Sequence, residues 1–204
     1  MFLSQILGKK ILDRDGRPRG HVSDLVVTIA DLYPPVTGIF FSPTGRKTTF
    51  RIPWPKIIEV GDRVVVDLLP PDDPLAATIG EGELLLKDSL LDKQIVDTHG
   101  AKILRVNDLH LLQVNRNLRL VHVDVGLRGL MRRVGLGKAT DKFFQWFFDY
   151  HLSDHLIPWR YVQPLSSSDF LRLKITQDRL SQLHPADLAD IIEELDIHKR
   201  SEVF

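Results

Sequence analysis

The sequence has no cysteine, so disulfides and thiolate chemistry are both closed to it, which fits a reducing compartment. It has no excess of either charge: 27 Lys and Arg balance 27 Asp and Glu. A general nucleic-acid binder carries a basic surplus, and this chain has none. No apolar run approaches the about 18 residues that a membrane-spanning helix needs. The short apolar patch in residues 1–8 has no basic region before it, which argues against a signal peptide. There is no Ser/His/Asp set, no glycine loop to cradle phosphate and no paired-carboxylate site. The chain therefore reads as a cytoplasmic non-enzyme, with no catalytic, cofactor-binding or metal-binding residue expected.

What the sequence does contain is a stretch written twice. Leu7, Lys9, Ile11, Asp13, Gly16, Val22, Asp24 and Leu25 recur 84 positions on, from Leu91 to Leu109. Ile52-Pro53-Trp54 recurs as Ile157-Pro158-Trp159, 105 positions on, so the second copy carries about 21 extra residues (105 − 84) between its markers. The length suits two small domains and a tail.

In the first copy, Lys10 to Asp13 reads as a strand and Asp13-Arg14-Asp15-Gly16 as a hairpin turn, with Gly16 free to take positive φ. Gly20 to Ala30 returns. Val36 to Phe41, Thr48 to Ile52 and Arg63 to Leu68 follow as further strands, and Pro53 and Pro55 place Trp54 at a strand exit or edge. Many short strands punctuated by Gly and Pro indicate a small β-barrel. The order Leu-Gly-Lys-x-Ile-x-Asp-x-x-Gly, then Val-x-Asp-Leu, then Ile-Pro-Trp resembles the PRC-barrel family over residues 2–165. That resemblance implies contacts with proteins or RNA and no common catalytic residues. Asp13, Gly16 and Asp24 then serve turn and strand-end geometry, and Trp54 and Trp159 serve packing at equivalent places.

Pro70 to Pro74 reads as a stiff linker. In the second copy Ile103 to Val114 and Leu118 to Val125 read as strands joined by Asn115-Arg116-Asn117. An insertion follows. Gly126 to Lys138 holds Arg128, Arg132, Arg133 and Lys138 and no acid, and Phe143, Phe144, Phe147 and Phe148 share one face of a helix. Those aromatics either cap an open barrel end, the expected role, or dock on a partner or membrane surface. His151 and His155 have a zinc-compatible spacing, but Pro158 follows closely and no Glu stands between them, so helix-end histidines are expected instead.

Leu188, Ile191, Ile192 and Leu195 give the tail an amphipathic helix after Pro185. His184-Pro-Ala-Asp-Leu-Ala-Asp-Ile-Ile-Glu-Glu-Leu195 resembles the opening of the N-terminal cytosolic domain of MgtE-type magnesium transporters over residues 181–204. That resemblance implies downstream helical and CBS-type domains of the same protein as partners, proximity to a membrane, and Mg²⁺ in the full-length protein. Asp187, Asp190, Glu193 and Glu194 read as a solvated helix face, and could serve as its oxygen ligands only where a partner domain completed the set.

The expected fold is mainly β with helical additions: two small PRC-type barrels in tandem, then an α-helical segment. The expected division is 1–70, a linker 71–82, 83–165 with a helical insertion near 126–152, and a truncated helical start at 166–204. The expected function is a regulatory, interaction module of an MgtE-like magnesium transporter or magnesium-responsive protein, with a homo-oligomer as a further partner. The alternative is an RNA- or ribosome-associated assembly factor using the PRC barrel, a reading that the basic run keeps open.

Overall fold

A computed structural model describes residues 1–29, 31–43, 48–67, 75–126, 130, 133 and 155–164. The insertion's aromatic helix and the tail lie outside these residues. The chain divides into two compact units, Met1–Asp88 with Asp108–Val121, and Ser89–Asn107 with the described residues from His122 onward.

Residues 10–85 are built on one sheet. Its strands are β1 (Lys10–Asp13), β2 (Pro18–Thr28), β3 (Val36–Ser42), β4 (Phe50–Pro53), β5 (Ile57–Val60), β6 (Val64–Val66), β7 (Leu75–Ala76) and β8 (Glu83–Leu85), in the order β5-β6-β1-β2-β3-β4-β7, with β8 also on β2. All neighbours are antiparallel except β1 and β6. The expected closed barrel is not found among the described residues: β5 and β7 end the sheet and do not pair with each other. The fold is mainly β, as the Gly/Pro-punctuated pattern implied. Strand β5 was not expected from the sequence, where Ile57-Ile58-Glu59-Val60 begins two residues after Pro55. A short 3-10 turn, Leu3–Gln5, precedes β1, and Leu3 and Ile6 are fully buried.

Burial alternates in β1 and is nearly continuous in β3. In β1 Ile11 and Asp13 point inward and Lys10 outward; in β3 Val36 and Gly38 through Phe41 are buried. Gly20 is a close approach. A Cβ there would collide with the Ser42 carbonyl oxygen, and its φ of 152° is disfavoured for other residues.

The second copy starts with α1 (Leu86–Leu90) and continues with β9 (Gln94–Asp97), β10 (Lys102–Arg105), β11 (Asp108–Val114), β12 (Asn117–Asp124), β13 (Leu156–Pro158) and β14 (Val162–Pro164). Sheets β10-β9-β14 and β11-β12-β13 hold them. The single strand expected over Ile103 to Val114 is two strands, interrupted at Val106-Asn107. In the first copy the same place, Ser23, is a register shift within β2.

Hydrogen bonds at the repeat's start are matched one for one. Gly8 N–H donates to Val22 O, Val22 N–H to Lys9 O and Lys9 N–H to Ile6 O at 2.9, 2.9 and 3.1 Å. Asp92, Val106 and Lys93 do the same with Val106, Lys93 and Leu90 at 3.0, 2.9 and 3.1 Å. Both turns need positive φ at the same position, 75° at Gly8 and 66° at Asp92. Downstream, Pro53 and Pro158 each open a 3-10 turn, Trp54–Lys56 and Trp159–Tyr161, with closely similar φ and ψ. The two tryptophans do hold equivalent places in the backbone.

Candidate interaction surface

Asp24 and Asp108, read from the sequence as strand-end residues, are nearly fully buried carboxylates that each bind a helical turn from the opposite copy. Asp24 accepts the N–H groups of Lys87 and Asp88 at 2.7 and 3.1 Å, at the start of α1, and that of Leu25 at 2.6 Å. Asp108 accepts the N–H of Ser4 at 3.1 Å, the Ser4 hydroxyl at 2.6 Å and the N–H of Leu109 at 2.9 Å. Ser4 and Asp88 are themselves 84 positions apart, so the exchange is reciprocal. A helix start leaves N–H groups without partners, and a carboxylate satisfies them. Burial, opposed by these N–H groups and reinforced by the Asp88 charge, pushes the Asp24 carboxyl up to about 6. Beside the carboxylates, β8 lies on β2 with Val26 opposite Leu85, and Phe2 forms a β-bridge with His110. These two pairings are equivalent to within one residue.

The exchange has an axis. Pro35 bridges Arg119, its own counterpart 84 positions on, and Leu120 N–H donates to Pro34 O. A residue meeting its own equivalent marks an isologous contact, normally a feature of two-fold dimers. Around it the turn between β2 and β3 meets the hairpin of β11 and β12. The Arg119 guanidinium donates to Tyr33 O at 2.8 Å and to Asp31 at 3.3 Å, and Trp54 Nε1 donates to Arg116 O at 2.8 Å.

This region leaves large apolar side chains in solvent: Leu32 and Tyr33 from one turn, Leu112 and Val114 from the strand entering the other. Trp54 is partly exposed beside them, while Trp159 is buried. Trp, Tyr and Arg are among the side chains that dominate binding energy at protein interfaces. The sequence reading missed Leu32, Tyr33, Leu112, Val114, Arg116 and Arg119. The available signal was the 84-residue offset, which aligns Pro35 with Arg119 and sets the two turns in equivalent places.

Asp13 and Gly16 do the turn work expected of them. Asp13 accepts the N–H groups of Asp15 and Arg17 at 3.0 and 2.8 Å and pairs with Arg19 at 3.1 Å; burial pushes its carboxyl up, and these donors outweigh that and hold it below its ordinary value. Gly16 has φ 78°. In the second unit Asp97 accepts the His99 N–H in the same way. Of the basic run, Arg133 is described: both its terminal nitrogens reach Asp92 at about 3 Å, and Arg105 reaches the same carboxylate at 3.0 Å. Burial pushes Asp92 up, and the two arginines bring it net below its ordinary value. His155 is exposed. Arg128, Arg132, Lys138, the four phenylalanines, His151, Asp187, Asp190, Glu193 and Glu194 lie outside the described residues. Among the described residues no three His, Asp or Glu side chains group to hold a metal ion, and no helix is long and apolar enough to cross a membrane.

No curated protein matches the chain. Residues 1–71, the strands β1 to β6 and the turns between them, match the model of the PRC-barrel domain family and carry such a domain.

Proposed function

We propose that the chain is a non-enzymatic docking module made of two PRC-barrel copies in tandem, acting in the cytoplasm as the regulatory part of an MgtE-like magnesium transporter or magnesium-responsive protein. The observation that carries the docking reading is the exposed surface of Leu32, Tyr33, Leu112 and Val114, with Trp54, Arg116 and Arg119, where the turns of the two copies meet. Single exposed apolar residues need no explanation, but a group of them beside Trp and Arg does. The magnesium part rests on the resemblance of residues 181–204 to the MgtE N-terminal domain. On that resemblance Asp187, Asp190, Glu193 and Glu194 would be available as oxygen donors if a downstream domain of the same protein completed the set.

The engagement of Arg133 by Asp92 supports a protein partner over RNA, since it neutralises one member of the basic run. The test is association of residues 1–204 with the rest of the full-length protein, by sedimentation with and without Mg²⁺. Mg²⁺-dependent association, weakened at least tenfold by Leu112→Asp with Tyr33→Asp, is the expected result. Binding to single-stranded RNA that falls steeply with salt, together with indifference to Mg²⁺, would replace this reading with the ribosome-associated one.

A further inference from the structure

Each copy places its leading arm on the opposite copy. Residues Met1–Leu7 form the first arm, and β8 with α1 forms the second. The capped turn of each arm goes to the aspartate of the opposite copy, Ser4 to Asp108 and Asp88 to Asp24. The first arm's slot is specific. Met1 and Leu111 exchange two backbone hydrogen bonds at 2.9 and 2.8 Å, Phe2 bridges His110 with ring centroids 5.0 Å apart, and the Asp108 carboxylate takes the Ser4 N–H and hydroxyl. Leu3 and Ile6 are fully buried, as are Leu109 and Leu111 on the strand that receives them.

The arm is joined to β1 through Gly8. Its φ is 75°, a Cβ there would meet nothing within 4 Å, and from Gly8 onward the backbone bonds to its own copy at Val22. Glycine leaves both senses of φ open, so the arm can leave in a new direction without disturbing β1. The slot lies more than a hundred residues away in sequence, and nothing in its chemistry distinguishes this molecule's arm from another's.

We propose that the protein self-associates by exchanging this arm: Met1–Leu7 of one copy of the chain occupies the β11 edge and the Asp108 carboxylate of a second copy, and the reverse, with Gly8 as the hinge. Every hydrogen bond and buried side chain of the slot is reused, and only the Lys9 N–H to Ile6 O bond that closes the turn at the hinge is given up. It becomes significant as protein concentration approaches the effective concentration of the tethered arm, on the order of millimolar for a short flexible link. This self-association goes beyond the docking role and does not depend on magnesium.

The absence of cysteine makes a direct test clean. Met1 and Leu111 form the hydrogen-bonded pair, so Phe2 and His110 are the close, non-hydrogen-bonded pair, with a separation that a disulfide tolerates. The double variant Phe2→Cys, His110→Cys, oxidised in dilute solution, should close within one molecule and run as a monomer, which establishes that the two positions can bond. The single variants Phe2→Cys and His110→Cys are then unfolded together, refolded as a mixture over a range of concentrations and oxidised. Exchange gives a covalent dimer whose cross-linked peptide joins position 2 of one chain to position 110 of the other, in an amount that rises with concentration. If the double variant closes but the mixture yields only monomers or like-with-like dimers, the proposal is wrong.

Discussion

Residues 10–66 and 94–164 begin with the same strand, turn and interrupted return, yet β1 has β6 beside it and β9 has β14. Strand β6 lies parallel to β1 and brings β5 in behind it; in the second copy β14, the counterpart of β5, pairs antiparallel with β9 directly. The local parts of the repeat survive divergence because their hydrogen bonds close within one hairpin, as from Gly8 to Val22 and from Asp92 to Val106. The sheet edges diverge because each is decided by whatever strand comes next. The first copy has Val64 to Val66 after its 3-10 turn, a short β-branched run suited to a buried edge. Among the described residues the second has no counterpart to it.

The largest expected effect tests the tightest of these differences. Gly20 corresponds to Leu104, yet a side chain at 20 would strike the Ser42 carbonyl. Gly20→Leu should cost about 3 kcal/mol or more by overpacking and backbone strain together, seen as failure to fold or a much lower denaturation midpoint. Leu104→Gly, on a partly exposed strand, should leave the protein folded. Equal losses would mean the two strands are less different than their neighbours imply.

Next comes the ion pair of the first copy. Arg51 on β4 donates to both Glu83 oxygens at 2.6 Å, and Thr37 joins them at 2.8 Å. The counterpart of Arg51 is Leu156. Arg51→Leu strands a mostly buried carboxylate and should cost about 3 kcal/mol. The Arg51 hydrogen bonds hold Glu83 down to about 2, so their stabilisation is full above the ordinary glutamate value of 4.5 and is lost as pH falls towards 2. Denaturation midpoints of wild type should fall over that window, and those of Arg51→Leu should fall less.

The buried Asp24 responds to pH in the opposite sense to Glu83. A carboxyl pushed up by burial from 3.8 to about 6 contributes most when protonated, so the Asp24 contribution is full below about pH 4 and lost as pH rises through 6. Two units correspond to about 3 kcal/mol, of which the compact unfolded chain and solvent relaxation leave roughly half. Asp24→Asn should therefore gain on wild type by about 1.5 kcal/mol between pH 4 and 7. A parallel profile for the two proteins would show that the three N–H donors outweigh burial after all.

The smallest effect is at the interruption itself. The Asn107 amide donates to Val125 O and Gly126 O at 3.0 and 3.1 Å, whereas the Ser23 hydroxyl is buried with no partner among the described residues. Asn107→Ala should cost about 1 kcal/mol and Ser23→Ala about nothing, measured as the difference between two chemical-denaturation midpoints.

Much of the first copy was legible from residues alone. Asp13 to Gly16 announces its turn, Pro53-Trp54-Pro55 its strand exit, and the eight recurring residues the matched backbone. What the spacing could not carry was partnership. Nothing local says that Asp24 caps Lys87 and Asp88, because the carboxylate and its donors lie more than sixty positions apart. Nor does alternation reveal an open sheet, since a strand buries the same face whether or not its sheet closes. The surface around Pro35 and Arg119 was hidden for the same reason: Leu112 and Val114 look like core in a strand, and only their surroundings leave them in water.

The long reach from Ser4 to Asp108 also sets a schedule. At a synthesis rate of about 5–20 residues per second, the 104 residues between arm and slot take on the order of 5–20 s to appear. A nascent chain therefore holds Leu3 and Ile6 without their burial site through most of the making of the first sheet. The edge of β2 waits a shorter time, because β8 and α1 come first. On a crowded message, arms from neighbouring ribosomes would meet completed slots during that interval, so the history of synthesis can decide which molecule each arm ends up serving.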